Sequence, residues 1–433
     1  MNKQIFGVAG NPVLHSRSPF MFNSWFQKLF PEARYLRIST RKTRELIKLT
    51  SFLPLKGLNI TAPFKESIIP FLHKLDDSAL KTGAVNTIRV ENNLLYGFNT
   101  DYIGVLRSLE KAGCPVNSKT SFLIVGSGGA ARAAVYGVLK KKATVTVAAR
   151  NKFTRKKISR DFSIPEIPLE KASGIIEKYH GIIFAIPAEP DNFDNFSFSE
   201  GQFVLEAGYS GNSKIAEKAK SQGAKVISGI QWLVNQALHS AYIFTGKKAD
   251  EKVFSDAAGK TPKKSKIIAL TGFMAAGKTS IGKKLSELSG LSFRDIDWEI
   301  EKATGMSVFE LISEKGENAF RKLESKILLS SSPGILSCGG GVVTEPINCK
   351  FLKGKTLDIW IFSSPETTAS RIENNKKRPL LPEKNSLESI RKLMKSRLAL
   401  YAETSDMLVI SENSTAESCA RQIYSELLKN RFV

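Results

Sequence analysis

The sequence has few of the residues from which metal centres, disulfide frameworks and membrane spans are built. Its 433 residues include only four cysteines, which form no C-x-x-C pair, and four histidines. This excludes a disulfide framework and gives no indication of a zinc site. Apolar residues never run together for about 18 positions, and the stretch MNKQIFGVAGNPVLHSRSP lacks the apolar core of a signal peptide. We therefore expect a cytoplasmic protein that is neither secreted nor membrane-spanning.

Acidic residues are also scarce, since the sequence has 41 of them against 64 lysines and arginines, which gives a net charge of +23. Such a charge suggests nucleic-acid binding. The basic residues, however, occur in short scattered groups such as KKKA at 140–143, without the interleaved aromatic residues of a base-stacking surface. We therefore favour a basic surface that suits anionic small-molecule substrates, with no nucleic-acid partner.

Three apolar runs are each followed by a glycine-rich turn and then helix-forming sequence: KQIFGVAG, TSFLIVGSGG and KIIALTGF. This order is typical of α/β proteins with parallel sheets. The chain is longer than one hydrophobic core usually organises, so we expect two or three domains. The range 247–265 is poor in periodic apolar residues and is predicted to be a linker. It separates an N-terminal part with room for two α/β lobes from a C-terminal domain at 266–433.

The stretch GFMAAGKTS at 272–280 follows the run KIIALT and satisfies the pattern G-x-x-x-x-G-K-[ST]. Glycines at these positions let backbone N–H groups converge on phosphates at a helix N-terminus. Lys278 would reach the outer phosphates, and Thr279 would bind magnesium. The alternative is a tight turn with an unrelated lysine. We predict nucleotide binding by these residues: Gly272, Ala275, Ala276, Gly277, Lys278, Thr279 and Ser280.

Four further segments follow the phosphate loop in order: FRDIDWEIEKATGMSVFELISEKGENAFRKLE, SCGGGVV, KKRPLL and SRLALY. Together they resemble the shikimate kinase family across roughly 266–430. The resemblance implies a P-loop kinase domain that transfers phosphate from ATP to shikimate with Mg2+. One departure is visible, because Ala399 in RLALY replaces a proline that the family often has, and this could loosen Arg397.

The kinase resemblance gives each motif a role. Asp295 would lie near magnesium, while Asp297 would bind shikimate hydroxyls and take the proton from the attacking one. Arg321 and Arg397 would clamp the shikimate carboxylate, because a guanidinium offers two parallel donors. The backbone would pass close to the substrate at Gly339, Gly340 and Gly341. Glu324 would support Arg321, and Arg378 would stabilise the transferring phosphoryl group. Arg371 would pack on the adenine.

The other glycine-rich stretch, GSGGAARA at 126–133, lies between the strand-like TSFLIV and a helical AARAAVYGVLKKK. Ala131 replaces the third glycine of G-x-G-x-x-G, so the motif alone is weak evidence for a dinucleotide site. The next strand-like run, VTVAAR, ends at Arg150, where an arginine suits the 2′-phosphate of NADP. Lys152 and Arg155 follow and favour the same cofactor.

Over about 1–246 the chain resembles the shikimate dehydrogenase family. The resemblance is carried by four N-terminal segments, GNPVLHSRSP, GLNITAPFK, GAVNTI and GFNTDYIG, and by a later one, GIQWLVNQALHSAYIFTG. The resemblance implies a substrate-binding α/β lobe at 1–100 and a Rossmann-like NADP-binding lobe at 101–246, whose end returns to the substrate lobe. Lys65 would carry the proton, with Asp101 beside it. His15 is not expected to do so, although histidine titrates near neutrality.

The dehydrogenase resemblance also assigns binding roles. Ser16 and Ser18 would bind the substrate carboxylate, with Tyr209 near that group and the nicotinamide side. The hydroxyls would be recognised by Asn59, Thr61, Asn86 and Gln236. The cofactor would contact Gly126, Gly128, Gly129, Ala130, Arg150 and Gly229. Taken singly, most of these residues have the alternative of a structural role in a turn.

The cofactor side departs most from the family. Its usual N-R-T is Ala149, Arg150 and Asn151 here, and its usual N-A-T is Ala185, Ile186 and Pro187. Our interpretation is a bifunctional enzyme that reduces 3-dehydroshikimate with NADPH and then phosphorylates shikimate with ATP. Two alternatives stay open: a dehydrogenase half that only binds shikimate or regulates the kinase, and a basic P-loop ATPase acting on nucleic acid. Oligomeric state and transfer of shikimate between sites are not predicted.

Overall fold

The computed structural model describes residues 3–186, 195–209, 213–373 and 387–432. Strands and helices alternate along these residues, which confirms the α/β class. The strands, β1 to β17 in chain order, are Gln4–Gly10, Ala33–Ser39, Leu55–Ile60, Lys74–Leu75, Thr87–Glu91, Leu94–Phe98, Ser121–Val125, Thr144–Ala149, Glu166–Pro168, Gly181–Phe184, Phe203–Glu206, Lys225–Ile227, Ile267–Thr271, Phe293–Asp295, Gly334–Ser337, Leu357–Phe362 and Met407–Ile410. The α-helices, α1 to α17, are Ser18–Leu29, Thr43–Phe52, Asp77–Thr82, Asp101–Lys111, Gly129–Lys140, Lys152–Phe162, Lys214–Ser221, Gly229–Thr245, Glu251–Ala258, Lys278–Ser289, Ile296–Thr304, Val308–Lys315, Glu317–Leu329, Pro346–Lys355, Pro365–Glu373, Leu387–Thr404 and Ala416–Lys429.

The chain divides into two compact units that do not follow the chain order of the predicted domains. The first unit joins Met1–Pro19 and Phe30–Leu55 to Thr261–Val433. The second contains Phe20–Leu29 and Lys56–Lys260. Two N-terminal segments of the predicted substrate lobe are therefore compact with the predicted kinase domain.

A parallel sheet of seven strands forms the centre of the first unit, in the order β14-β15-β13-β16-β17-β2-β1. Strand β16 is buried at all six positions and β17 at all four. Apolar runs of this kind are typical of parallel strands covered on both faces. At one edge of the kinase strands, β17 pairs with β2, where Leu408 lies opposite Ile38. This pairing incorporates β1 and β2 into the sheet of the C-terminal domain.

The second unit contains a parallel sheet of six strands in the order β12-β11-β10-β7-β8-β9. Successive side chains of its central strand β7 point to opposite faces of the sheet, so that both faces are covered by a core. Phe122 and Ile124 belong to one buried cluster, and Leu123 and Val125 belong to the cluster on the opposite face. The same unit contains β3, β5 and β6 as antiparallel neighbours, with β4 parallel to β6.

The range 247–265, which is predicted to be a linker, contains a helix. Helix α9 begins after Asp250, whose side chain accepts hydrogen bonds from the N–H groups of Lys252 and Val253. Phe254 is fully buried, and its ring centroid lies 5.2 Å from that of Phe22 and 6.0 Å from that of Trp25. One aromatic anchor therefore orders a segment whose composition resembles that of a linker. In the part of the chain that the structure describes, helices that combine the length and the apolarity of a membrane span are absent.

Candidate active sites

The predicted kinase loop runs from the end of β13 to the start of α10 in a conformation that needs glycine. Gly272 has a φ of +137°, and a Cβ atom there would lie 2.3 Å from the Ile361 carbonyl oxygen. Gly277 has a φ of +97° directly before the helix. Lys278 Nζ folds back over the loop and donates hydrogen bonds to the carbonyls of Gly272 (2.9 Å) and Phe273 (2.8 Å). The loop thus presents backbone N–H groups and a buried lysine at one helix N-terminus, which suits an anion.

The two predicted magnesium residues lie in direct contact. Thr279 Oγ1 donates to Asp295 Oδ2 at 2.8 Å, and Asp295 also accepts the N–H of Asp297 at 3.1 Å. A hydroxyl and a carboxylate are suitable oxygen ligands for Mg2+, which usually keeps several waters and shares phosphate oxygens. Groups of three or more His, Cys, Asp or Glu side chains that could hold a metal are absent from the described residues. The donor set therefore fits a magnesium ion held jointly with a bound nucleotide.

A buried ion pair lies beside the glycine run at 339–341. Arg321 Nη1 donates to Glu324 Oε2 at 2.7 Å, and Glu324 is fully buried. Burial raises the pKa of Glu324, against the opposing effect of Arg321. A Cβ atom at Gly339 would lie 2.4 Å from Glu324 Oε1 and 3.3 Å from Asp297 Oδ1, and one at Gly341 would lie 2.2 Å from Arg321. The glycines are needed because the charged side chains occupy that space.

Arg397 reaches the same glycine run from α16. Its Nη1 donates to the Gly340 carbonyl at 3.0 Å, and the Tyr401 hydroxyl donates to the same oxygen. Helix α16 continues through Ala399, so the position that is often proline in the family is helical here. A helical frame with two donors on one carbonyl holds Arg397 in place. Sequence reasoning missed Tyr401, although it lies one turn after Arg397.

Arg371 lies at the back of the phosphate loop. It donates to the carbonyls of Ala275 (3.1 Å) and Ser411 (3.0 Å). A hollow beside it is lined by Ser370 and by Asn413, Ser414 and other residues that follow β17. The sequence carried no motif for these residues, but loops at the carboxyl ends of parallel strands commonly line nucleotide sites. The predicted phosphoryl-stabilising Arg378 lies outside the described residues.

In the second unit, the predicted proton carrier and its carboxylate are in contact. Lys65 Nζ lies 2.6 Å from Asp101 Oδ2, and both side chains are largely buried. Asp101 is the first residue of α4, and its N–H donates to Asn99 Oδ1 at 3.0 Å. A Cβ atom at Gly129, the first residue of α5, would lie 3.1 Å from Lys65 Cβ and Cδ. The glycine-rich turn after β7 is therefore packed against the lysine.

Three of the predicted hydroxyl-binding residues share one buried polar network. Asn86 Nδ2 lies 3.3 Å from Gln236 Oε1, and Asn59 Nδ2 donates to the Asn86 carbonyl at 3.1 Å. Three hydroxyl residues that sequence reasoning missed complete the network: Thr87, Thr100 and Ser240. Thr100 directly precedes Asp101 in GFNTDYIG, which was the available signal. Thr61 is only partly buried, and its carbonyl accepts the N–H of Phe64.

Ser16 and Ser18 lie in the first unit and are both buried. Ser16 ends a turn in which its N–H donates to the Val13 carbonyl at 2.9 Å, and Ser18 is the first residue of α1. Burial lowers the pKa of His15 to about 4, with the charges of Lys429 and Arg37 acting in the same direction. His15 is therefore neutral near pH 7.

The predicted dinucleotide turn is shaped by Gly126, whose φ is +128° and whose Cβ would lie 2.6 Å from the Ala185 carbonyl oxygen. Gly128 is the N-cap of α5, and Gly129 and Ala130 follow in the first turn of that helix. The space around the Gly128 α-carbon is open. Arg150 is exposed at the end of β8.

Arg155, one of the cations that favour NADP in the sequence, makes structural contacts here. Arg155 is buried, pairs with Glu166 and donates to the Ala149 carbonyl at 2.8 Å. These contacts tie α6 to the sheet and leave the guanidinium occupied. Arg150 and the exposed Lys152 are the cations at this position that could reach a 2′-phosphate.

Gly229 and Tyr209 come from segments that lie side by side. A Cβ atom at Gly229, the first residue of α8, would lie 2.1 Å from the Gly208 carbonyl oxygen. Backbone contact of this kind is possible only without a side chain. Gly229 therefore has a structural reason to be glycine that is independent of any cofactor.

Two arrangements are now evident. One is a P-loop fold in which lysine, threonine and aspartate converge beside paired arginines. The other is an α/β unit in which a buried lysine–aspartate pair lies against a glycine-rich helix N-terminus. These features define a P-loop α/β domain and an α/β fold of the kind found in dinucleotide-dependent oxidoreductases, combined in one chain.

The chain matches two protein families in the same order. Residues 8–88 match the shikimate dehydrogenase substrate-binding domain, and residues 274–428 match shikimate kinase. The NADP(+) shikimate dehydrogenase of Aquifex aeolicus is 34% identical over 250 residues, which cover 56% of this chain and 91% of that protein. The shikimate kinase of Dehalococcoides mccartyi is 38% identical over 165 residues, 37% of this chain and 93% of that protein.

Solved structures agree with the sequence matches. The crystal structure of the Aquifex aeolicus shikimate dehydrogenase has a TM-score of 0.55 at 31% identity, covering 60% of this chain and 98% of that one. The Thermus thermophilus shikimate dehydrogenase, solved in complex with NADP(H) and shikimate, has a TM-score of 0.53 at 28% identity, covering 59% and 98%. The chain belongs to the shikimate dehydrogenase family in its N-terminal part and to the shikimate kinase family in its C-terminal part.

Proposed function

We propose that this chain catalyses two successive steps, the reduction of 3-dehydroshikimate to shikimate and the phosphorylation of shikimate to shikimate 3-phosphate. The observation that supports the first step is the 2.6 Å contact between Lys65 and Asp101 against the glycine-rich turn. For the second step, it is the contact of Thr279 with Asp295 at the phosphate loop, with Asp297 close to the Arg321–Glu324 pair. The product of the first reaction is the substrate of the second.

In the reductive step, bound NADPH would supply a hydride to the ketone carbon. Lys65 Nζ would deliver the proton that the carbonyl oxygen needs, and it would recover a proton for the next turnover. Asp101 would hold the ammonium group and bind a substrate hydroxyl. Ser16 and Ser18 would bind the carboxylate, with Tyr209 near it, while Asn59, Thr61, Asn86 and Gln236 would bind the hydroxyls. The turn at Gly126–Ala130 and the Arg150 guanidinium would bind NADP, with Gly229 near the cofactor.

In the transfer step, ATP with Mg2+ would supply the phosphoryl group. Asp297 would accept the proton of the attacking shikimate hydroxyl, and Arg321 and Arg397 would fix the carboxylate. Glu324 would keep Arg321 oriented. Lys278 and the loop N–H groups would stabilise phosphate charge, Thr279 and Asp295 would hold the metal, and Arg371 would pack on the adenine. Arg378 would stabilise charge on the transferring group.

The direct test of the first activity is the absorbance of NADPH produced as purified protein oxidises shikimate, in parallel assays with NADP and with NAD. Turnover that strongly prefers NADP supports both the dehydrogenase and the role of Arg150. Absence of turnover with either cofactor, in protein that still phosphorylates shikimate, would contradict the oxidoreductase half.

One specific observation favours a second candidate function. The polar residues usual in two cofactor-side segments are replaced by Ala149, which is buried, and by Ala185 and Pro187. Arg155 is also occupied by Glu166. With these donors missing, the dehydrogenase half could bind shikimate without reducing anything and act as a binding or regulatory module. Equilibrium binding of shikimate without any cofactor turnover would support this alternative.

A further inference from the structure

A glutamate of the last helix is bound entirely to the N-terminal segments of the first unit. Glu426 is fully buried on α17. Its two oxygens accept the Val13 N–H at 2.9 and 2.8 Å, and Oε2 also accepts the Leu14 N–H at 2.8 Å. Oε1 accepts the Ser39 hydroxyl at 2.8 Å. These donors precede Glu426 by about 390 to 410 residues in the chain.

The donors around Glu426 require an acceptor at both of its oxygens. Ser39 Oγ itself accepts a hydrogen bond from Gln422 Nε2 at 2.8 Å, so the Ser39 proton is directed to Glu426. Two backbone N–H groups occupy the rest of the carboxylate. Burial raises the pKa of Glu426, while these hydrogen bonds and Lys429 lower it. A neutral amide could not reproduce the arrangement, because its NH2 group would face a donor.

Val13 and Leu14 begin the turn that contains Ser16 and leads to Ser18, the first residue of α1. The Ser16 N–H donates to the Val13 carbonyl at 2.9 Å, and the Ser18 N–H lies 3.4 Å from Ser16 Oγ. Holding the backbone of Val13 and Leu14 in place therefore also holds the backbone of Ser16 and Ser18 in place.

The far side of the same turn is held by Arg37. Its Nε and Nη2 donate to the Ser16 carbonyl at 3.0 and 2.8 Å, and its Nη1 donates to the Asp406 carbonyl at 3.2 Å. Asp406 directly precedes β17. Both supports of the serine turn are thus anchored in the kinase-family part of the chain.

We propose that Glu426 is a positioning residue for the dehydrogenase reaction, because it holds the turn that presents Ser16 and Ser18 to the carboxylate of shikimate. A helix of the kinase-family domain thereby completes the substrate-binding turn of the dehydrogenase half. This inference rests on the dehydrogenase activity proposed above. It also means that the two halves are not independent, since removing α17 removes the support of that turn.

The test compares Glu426→Gln with Glu417→Gln in the full-length protein. Both variants remove one carboxylate from α17, but Glu417 is at the surface, paired with Arg421. For Glu426→Gln we expect the KM for shikimate in the dehydrogenase assay to rise about tenfold, which corresponds to about 1.4 kcal/mol. The KM for NADP and the kinase KM for shikimate should stay within about twofold of the wild type. The reason is that the Glu426 carboxylate contacts the serine turn and Ser39. Glu417→Gln should match the wild type in every assay.

A substrate analogue with a hydroxymethyl group in place of the carboxylate makes the test specific. If Glu426 acts through the carboxylate-binding serines, Glu426→Gln should penalise shikimate more than the analogue. Equal losses with both compounds, or equal losses in both enzymatic activities, would indicate a general structural defect and overturn the proposal. An unchanged KM for shikimate would also overturn it. Wild-type protein without dehydrogenase activity would instead contradict the proposed function itself.

Arg37→Lys provides a second variant if Glu426→Gln does not fold, as judged by thermal unfolding. Lysine keeps the charge but cannot donate two parallel hydrogen bonds to the Ser16 carbonyl. We expect the same pattern, in which the dehydrogenase KM for shikimate rises and the kinase KM does not. A selective loss of kinase activity in Arg37→Lys would contradict the proposal.

Discussion

The two glycine-rich loops of this chain follow the same order of strand, turn and helix but surround their expected phosphates differently. After β13, Lys278 and Thr279 add an ammonium and a hydroxyl, and Asp295 lies in contact with the hydroxyl. After β7, the turn offers Gly126 and Gly128 and mainly backbone N–H groups. The comparison teaches that glycines serve the backbone conformation and close packing of both loops, while the side chains that follow add an ammonium and a hydroxyl only after β13.

The largest expected effect is the loss of dehydrogenase activity, without loss of kinase activity, when Lys65 is replaced. Lys65→Ala should lower the dehydrogenase kcat by about 10²-fold to 10⁴-fold, because it removes the proton carrier. Kinase activity should remain. Lys157→Ala is the control, since Lys157 is an exposed lysine of the same unit, near Glu66. If Lys65→Ala retained full reduction in steady-state assays, another group would have to supply the proton.

The kinase loop should respond in the opposite sense. Lys278→Ala removes a buried cation from the expected phosphate site and should lower the rate of shikimate 3-phosphate formation by about 10²-fold to 10³-fold. Reduction with NADPH should be unaffected. Lys284→Ala on the same helix is the control, because Lys284 pairs with Glu287 at the surface. Loss of both activities in folded Lys278→Ala protein would disprove the assignment of separate reacting groups.

Cofactor choice tests the side chain that distinguishes the dinucleotide turn. Arg150→Asp places a carboxylate where the 2′-phosphate of NADP is expected and where NAD has a hydroxyl. The KM for NADP should rise about tenfold to hundredfold, as expected for losing a charge-assisted hydrogen bond, while use of NAD improves. Steady-state kinetics with both cofactors measures the ratio. An unchanged ratio would mean that Arg150 does not contact the 2′ position.

A smaller effect should distinguish neighbouring glycines of the dinucleotide turn. A methyl group at Gly129 would press on Lys65 at 3.1 Å, whereas at Gly128 it would meet no protein atom within 4 Å. Gly129→Ala should therefore lower kcat about tenfold by displacing the lysine, and Gly128→Ala should mainly raise the KM for NADP. Equal changes in kcat for both variants would contradict the packing of the turn against Lys65.

The smallest effect concerns the strand beneath the kinase loop. Thr271 ends β13 and donates to the buried Asp358 at 2.7 Å, whereas β7 ends at the apolar Val125. Burial raises the pKa of Asp358 to about 7 from 3.8. The folded state therefore prefers the neutral acid, and its contribution to stability is full below about pH 4 and is lost as pH rises through 7.

Asp358→Asn should remove this dependence. Its unfolding free energy should change less between pH 4 and 7 than that of the wild type, by up to about 1.4 kcal/mol per pH unit. Denaturant unfolding across that range measures the difference. Asp77→Asn, at a highly exposed position, should keep the wild-type slope. A wild-type slope in Asp358→Asn would show that Asp358 is ionised in the fold.

The sequence was sufficient for features that depend on neighbouring residues. The strands before both loops and the helices after them follow from short local motifs. The contact of Lys65 with Asp101 was implied by the family resemblance of the segments that carry them. Pairing of β17 with β2 could not be predicted, because it joins residues about 370 positions apart and no sequence motif specifies the register between the two strands. Helix α9 was missed because one buried phenylalanine, not a periodic pattern, orders it.

Glu426 illustrates the same limit at the candidate site. Nothing in QIYSELLKN distinguishes it from a surface glutamate, and its meaning depends on Val13 and Leu14 at the other end of the chain. Arg155 shows the converse, since its position in the sequence suggested a cofactor while its burial beside Glu166 makes it structural.

The most direct test of the bifunctional assignment follows both reactions in one vessel. Purified protein is given 3-dehydroshikimate, NADPH, ATP and Mg2+, and NADPH absorbance and shikimate 3-phosphate are measured together, with each cofactor omitted in turn. We predict that NADPH is consumed with or without ATP and that shikimate 3-phosphate forms only when both cofactors are present. Phosphorylation of added shikimate without any consumption of NADPH would contradict the account and leave a kinase with a binding domain.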